Sequence, residues 1–136
     1  MGRVLVLAMI WLTACSGDDK PRRELVDDGV VCLRLLPSGA VEVDVVFHDC
    51  LSSCDIARPA TCVVTKEETN GAVDLRVASR GVVESTGASV CSPSCGELRA
   101  FCTSDDTFAP GTLTVRHGED TSELVLGTRV QCLFSQ

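Results

Sequence analysis

Val41-Glu42-Val43-Asp44-Val45-Val46-Phe47 puts an apolar side chain at every odd position and an acid at two of the three positions between them. A period of two sends successive side chains to opposite faces, so this stretch reads as a strand with one face buried. The pattern recurs on both sides. In residues 72–77, Val73, Leu75 and Val77 share a face opposite Asp74 and Arg76. In residues 112–116, Leu113 and Val115 point in while Thr114 and Arg116 point out. In residues 129–134, Val130, Cys132 and Phe134 are expected inside. Residues 30–36 form a further strand, and Leu36-Pro37-Ser38-Gly39 supplies a type I turn into the next. Residues 60–64 and 98–103 add two more, and Arg116-His117-Gly118-Glu119-Asp120 reads as a hairpin loop. Past the first fifteen residues no window sustains a helical period. About eight short strands at this spacing indicate an all-β fold, an antiparallel β-sandwich, with a small barrel as the alternative. An immunoglobulin-like arrangement would lack its core Trp.

Cysteine spacing adds a second pattern. Cys50, Cys54 and Cys62 are followed, at a nearly constant interval, by Cys91, Cys95 and Cys102. CLSSCDIARPATC aligns with CSPSCGELRAFC, matching Ser53 to Ser94 and Arg58 to Arg99. At the same distance beyond the third cysteine of each set stands a glycine, Gly71 or Gly111, which opens a strand-like run ending in Arg. Two tandem repeats of about 41 residues, packed face to face as one domain, account for this. With Cys32 and Cys132 the set numbers eight, and an even count in a small exported chain reads as a disulfide framework. Loop length favours local bridges Cys54–Cys62 and Cys95–Cys102. Cys50–Cys91 and Cys32–Cys132 would then tie copy to copy and first strand to last.

The 136 residues allow one domain or two small ones, and a charge of −7 with pI near 4.7 disfavours nucleic acid and anionic membrane surfaces as partners. The N-terminus has its own composition. Met1-Gly2-Arg3 is a short cationic start, and residues 4–12 (VLVLAMIWL) are an unbroken apolar run. That run is too short to span about 30 Å of hydrocarbon, but it matches the h-region of a signal peptide. Leu12-Thr13-Ala14-Cys15 follows, and with this context it resembles the lipobox of bacterial lipoproteins. The resemblance covers the leader only. It implies that residues 1–14 are removed, that Cys15 takes a diacylglycerol and becomes the first mature residue, and that Ser16 directs delivery to the outer membrane. Trp11 and Arg3 leave with the leader, so the mature chain has no Trp or Tyr and its side chains carry −8. Residues 15–29, polar and charged, read as a lipidated tether, and residues 30–136 as the cysteine-rich β domain.

Candidates for chemistry are few. Acid doublets Glu67-Glu68 and Asp105-Asp106 fall at matching positions of the two copies, and on loops they would be candidate Ca²⁺ ligands. Cys50-x3-Cys54 and Cys91-x3-Cys95 lie within tolerated zinc spacing, although export favours oxidation. His48 and Asp49 are sequence neighbours, which points their side chains apart on a strand. His117 lies in the expected hairpin loop, and no Gly-x-Ser-x-Gly occurs. Arg58 and Arg99 sit in matching loops, where they clamp an anion or pair locally with Asp55 and Glu97. The expectation is a lipid-anchored envelope protein, not an enzyme, with a binding or structural role, no cofactor, and an envelope partner of unknown identity. A calcium- or metal-dependent binding module and an envelope-acting enzyme are the alternatives.

Overall fold

The computed structural model describes residues 21–134, which hold ten strands and no helix. The expected leader and the lipobox-like Leu12-Thr13-Ala14-Cys15 lie outside the described residues. In order the strands are β1 (Arg22–Val26), β2 (Val30–Leu35), β3 (Val41–Val46), β4 (Asp55–Ala57) and β5 (Thr61–Thr69). They continue as β6 (Ala72–Ser85), β7 (Arg99–Thr103), β8 (Gly111–His117), β9 (Asp120–Leu126) and β10 (Gln131–Leu133).

Two sheets face each other. The four-stranded sheet has the order β10-β2-β3-β7, antiparallel throughout. The six-stranded sheet is organised on β6, whose 14 residues are paired on both edges. Residues 74–77 pair with both β5 and β8, and residues 83–84 with both β1 and β4. β5 and β4 therefore lie end to end along one edge, and β8 and β1 along the other. β9 extends the sheet beyond β8. One pair is parallel, β6 with β8, and its register joins Asp74 to Thr114 and Val77 to His117.

Period-two faces meet in the middle. Val31, Leu33, Leu35, Val41, Val43 and Val45 from one sheet pack against Val64, Leu75, Val77, Val83, Leu113, Val115, Leu124 and Leu126 from the other. Each such side chain contributes about 1.5–3 kcal/mol when fully buried. Phe47, Leu98 and Phe108 close the ends. The last strand has the opposite phase from the one its sequence suggested. Leu133 pairs with Val31 and packs against the core, whereas Cys132 is exposed and Val130 lies at the surface. Phe134 returns to the core edge through a positive φ of 63°.

The domain begins earlier than composition suggested. Arg22–Val26 is a strand on β6, so the polar segment 15–29 is not tether throughout. Its charges are those of an edge strand whose neighbours answer them. Glu24 meets Arg80 at 3.0 Å, and Arg23 meets Asp49 at 2.8 Å and Asp55 at 3.3 Å. Leu25 packs against the core.

Four disulfides are present: Cys32–Cys132, Cys50–Cys95, Cys54–Cys91 and Cys62–Cys102. The first matches expectation, and the other three replace the expected local bridges and Cys50–Cys91. Strand register explains why. Cys62 is level with Ser79 on β6, whereas Cys54 is level with Thr86, whose N–H donates to its carbonyl. The strand from Ser79 to Thr86 separates them by about 23 Å, beyond the roughly 7 Å Cα separation that a disulfide tolerates. The segments 50–54 and 91–95 instead lie antiparallel, with Leu51 bridged to Gly96. That direction sets the first cysteine of one segment beside the second of the other.

The turn from β1 into β2 passes Asp27 and Gly29, with φ of 47° and 117°. A Cβ at Gly29 would overlap the Val46 carbonyl oxygen and Phe47 Cα, both rigid backbone. Gly29→Ala is expected to cost about 3 kcal/mol in urea unfolding, because strain and overlap add at one residue. Gly71→Ala, with open space around it, is expected to cost clearly less.

Candidate functional site

Strand geometry separates the expected acidic site. Glu67 and Glu68 lie within β5 and not in a loop, so their side chains leave opposite faces of the strand. Glu67 is 3.6 Å from Arg76, and Glu68 is 3.9 Å from Lys66. Asp105 and Asp106 follow β7 in a loop, where the Asp106 carbonyl accepts a hydrogen bond from Ser104 Oγ at 2.7 Å. Among the described residues no group of three or more potential ligands gathers around a point, so these four acids do not form the six-to-eight-oxygen shell that Ca²⁺ requires. The four cysteines of the two Cys-x3-Cys segments are consumed by Cys50–Cys95 and Cys54–Cys91.

The basic candidates pair locally. Arg99 meets Glu97 at 3.0 Å and Asp44 at 3.2 Å. Arg58 meets Glu84 at 2.8 Å and not Asp55. Asp55 is held instead by Ser52, whose N–H and Oγ each donate to it at 2.8 Å, and these bonds lower its pKa. His48 and Asp49 diverge as expected, His48 to Asp28 at 2.9 Å and Asp49 to Arg23. Across the outer face of the smaller sheet Cys132, Cys32, Asp44 and Phe101 stand in one row. Burial raises the pKa of Asp44 there, and its Oδ1 is enclosed without a hydrogen-bond partner among the described residues.

Sequence reading missed a buried polar cluster. His117 ends β8 and points inward, 1% exposed, instead of lying in a loop. Its Nε2 is 2.8 Å from Ser79 Oγ, and Ser79 is 4% exposed. A serine, a histidine and a nearby acid suggest nucleophilic catalysis, but the geometry points elsewhere. Both side chains lie inside the sandwich, out of a substrate's reach. The acid, Asp27, accepts from the Ser79 backbone N–H at 2.7 Å, and its own N–H donates to the Ser79 carbonyl at 3.0 Å. The cluster clips the β1–β2 turn to β6 and β8. The signal for it lay in phase: His117 continues the inward series Leu113, Val115.

A depression of about 240 Å³ opens at the end of the sandwich where β6 begins. Val73, Phe108, Pro110 and Leu113 line it, with Lys66 at its rim. The loop between β7 and β8 builds one wall. Buried Ser104 anchors that loop, because its Oγ accepts from the Val41 N–H at 2.8 Å and donates to the Asp106 carbonyl. Phe108 N–H donates to the Gly39 carbonyl at 2.8 Å. Lys66 Nζ lies 5.7 Å from the Phe108 ring centroid and 3.4 Å from the Thr107 carbonyl oxygen. The volume is below the roughly 300–1,000 Å³ of sites that enclose a drug-sized ligand. It has room for one or two apolar side chains. Nothing in the spacing of Lys66 and Phe108 announces that they meet.

Comparison with protein-family models, with curated proteins and with solved structures gives no match.

Burial holds the pKa of His117 below its ordinary 6.5, against the carboxylates of Asp27, Asp120 and Asp28, which raise it. The neutral ring is thus the form that the fold favours. The stability it contributes is full above about pH 6.5 and is lost as pH falls through the folded-state pKa. The melting temperature is expected to drop as pH is lowered from 7 to about 5, and His117→Gln is expected to flatten that slope. Thermal unfolding of both proteins across this range checks it. An equal slope in the two would place the effect elsewhere.

Proposed function

We infer that this chain is a lipid-anchored lipoprotein of the bacterial cell envelope with a non-catalytic binding or structural role. The observation that carries the reading is the run from Arg3 to Cys15: a basic start, an unbroken apolar stretch and Leu-Thr-Ala-Cys, followed at Arg22 by a folded domain. Four disulfides accord with export to an oxidising compartment. Ser16 favours the outer membrane as the destination.

The recurrence of cysteines, glycines and strand-like runs is read as a tandem duplication. Two features of the fold support that. Three disulfides join the cysteine sets crosswise, first to second, second to first and third to third. The strands opened by Gly71 and Gly111 run side by side and parallel, in the register that joins Asp74 to Thr114.

The depression at the start of β6 is the best-formed candidate for partner contact. Its apolar lining fits a protein segment that offers an apolar anchor. An enzymatic reading draws no support from Ser79 and His117, which are enclosed.

Intact mass of the membrane-extracted protein tests the anchor. The expected species starts at Cys15 and carries a diacylglycerol, with or without a third acyl chain. Cys15→Ser is expected to remain uncleaved and unlipidated. A wild-type mass that fits cleavage at another residue, with an unmodified Cys15, would contradict the reading.

A further inference from the structure

The domain's first strand starts close to the proposed anchor. The chain from Cys15 to Pro21 reaches at most about 20 Å. Pro21 is fixed to the domain, since its carbonyl accepts from the Ser85 N–H at 2.9 Å. Ser85 is the last residue of β6. Thr86, next in the chain, donates to the Cys54 carbonyl at 2.7 Å. The tether therefore arrives beside the paired segments 50–54 and 91–95, at the end of β6 opposite the depression. The 14 residues of β6 set these ends about 40 Å apart along the strand.

The two ends differ in charge. Residues 86–96 (TGASVCSPSCG) and 50–54 (CLSSC) contain no charged side chain, and residues 86–96 are all exposed. Val90 is 86% exposed, and Ile56 on β4 lies open nearby. Neighbouring acids are matched, Asp49 and Asp55 by Arg23 and Glu84 by Arg58. The opposite end carries Asp105 and Asp106 in a loop, and Glu67 and Glu68, which pair with Arg76 and Lys66. A mature domain of net −8 turned toward anionic lipid lowers its repulsion by facing the uncharged end to the headgroups. Two disulfides hold that end rigid.

We propose that the disulfide-crossed loop pair, residues 50–54 and 86–96 with the exposed Val90, is the membrane-facing surface, resting on lipid headgroups while the depression points away. This rests on the anchor reading above. The absence of Trp and Tyr from the mature chain gives a clean probe. Val90→Trp and Val125→Trp replace exposed residues at opposite ends, since Val125 is paired to Thr112, level with the start of β6. Each lipidated full-length product is reconstituted in phosphatidylcholine vesicles bearing acyl-chain bromines. Quenching several-fold greater at position 90 than at 125 is expected. Equal quenching, or more at 125, in protein that floats with the vesicles would overturn the orientation and leave the anchor standing. Failure to float, or Trp emission from the wild-type chain betraying a retained Trp11, would overturn the anchor and the orientation together.

Discussion

Four disulfides tie the chain before β6 to the chain after it, and the rest of the structure depends on those ties. Cys62–Cys102 joins β5 of one sheet to β7 of the other, while Cys50–Cys95 and Cys54–Cys91 lock the loops at the far end of β6. The core between the sheets is mostly Val and Leu, with only Phe47 and Phe108 as buried aromatics among the described residues. Such a core in a small domain leaves a thin margin, and each bridge adds about 2–4 kcal/mol by restricting the unfolded chain. Set against a total stability of about 5–15 kcal/mol, that places the bridges among the deciding terms. Cys32–Cys132 closes a sequence separation of 100 and so fastens the final strand to the second.

From this constraint follows a molecule with two unlike ends. Strand β6 is the axis, paired along both edges, and it carries the backbone contact to Pro21 at Ser85 and the rim of the depression at Val73. At the end crossed by two disulfides, residues 50–54 and 86–96 carry no charged side chain. The other is bounded by a loop that Ser104 and Gly39 hold through backbone contacts, and it bears an apolar hollow with Lys66 beside it. Between them the Ser79–His117 pair and Asp27 fix the β1–β2 turn, a polar knot whose stake is structural.

The strands were legible because alternation is a local property. The strands over residues 41–46 and 112–116 follow directly from it, and the all-β sandwich with them. Two errors have one source. Arg22–Val26 looked like tether, and Glu67-Glu68 looked like a loop, because charged residues on an edge strand mimic solvated coil when their partners are unseen. Bridge connectivity was legible only for Cys32–Cys132. The other three depend on β4 and β5 lying end to end along β6, a long-range pairing that spacing does not encode. The candidate site was the least legible. Lys66 on β5 and Phe108 in the loop after β7 are distant in sequence, and it takes the tertiary fold to bring them together.

The most direct test of the account is disulfide mapping of the domain, exported to an oxidising compartment, digested without reduction and sequenced as linked peptides. The account predicts Cys50–Cys95, Cys54–Cys91, Cys62–Cys102 and Cys32–Cys132 and no free thiol. Recovery of the local pairs Cys54–Cys62 and Cys95–Cys102, or of free cysteines in residues 50–54 and 91–95, would contradict it and make those segments the reactive part of the molecule.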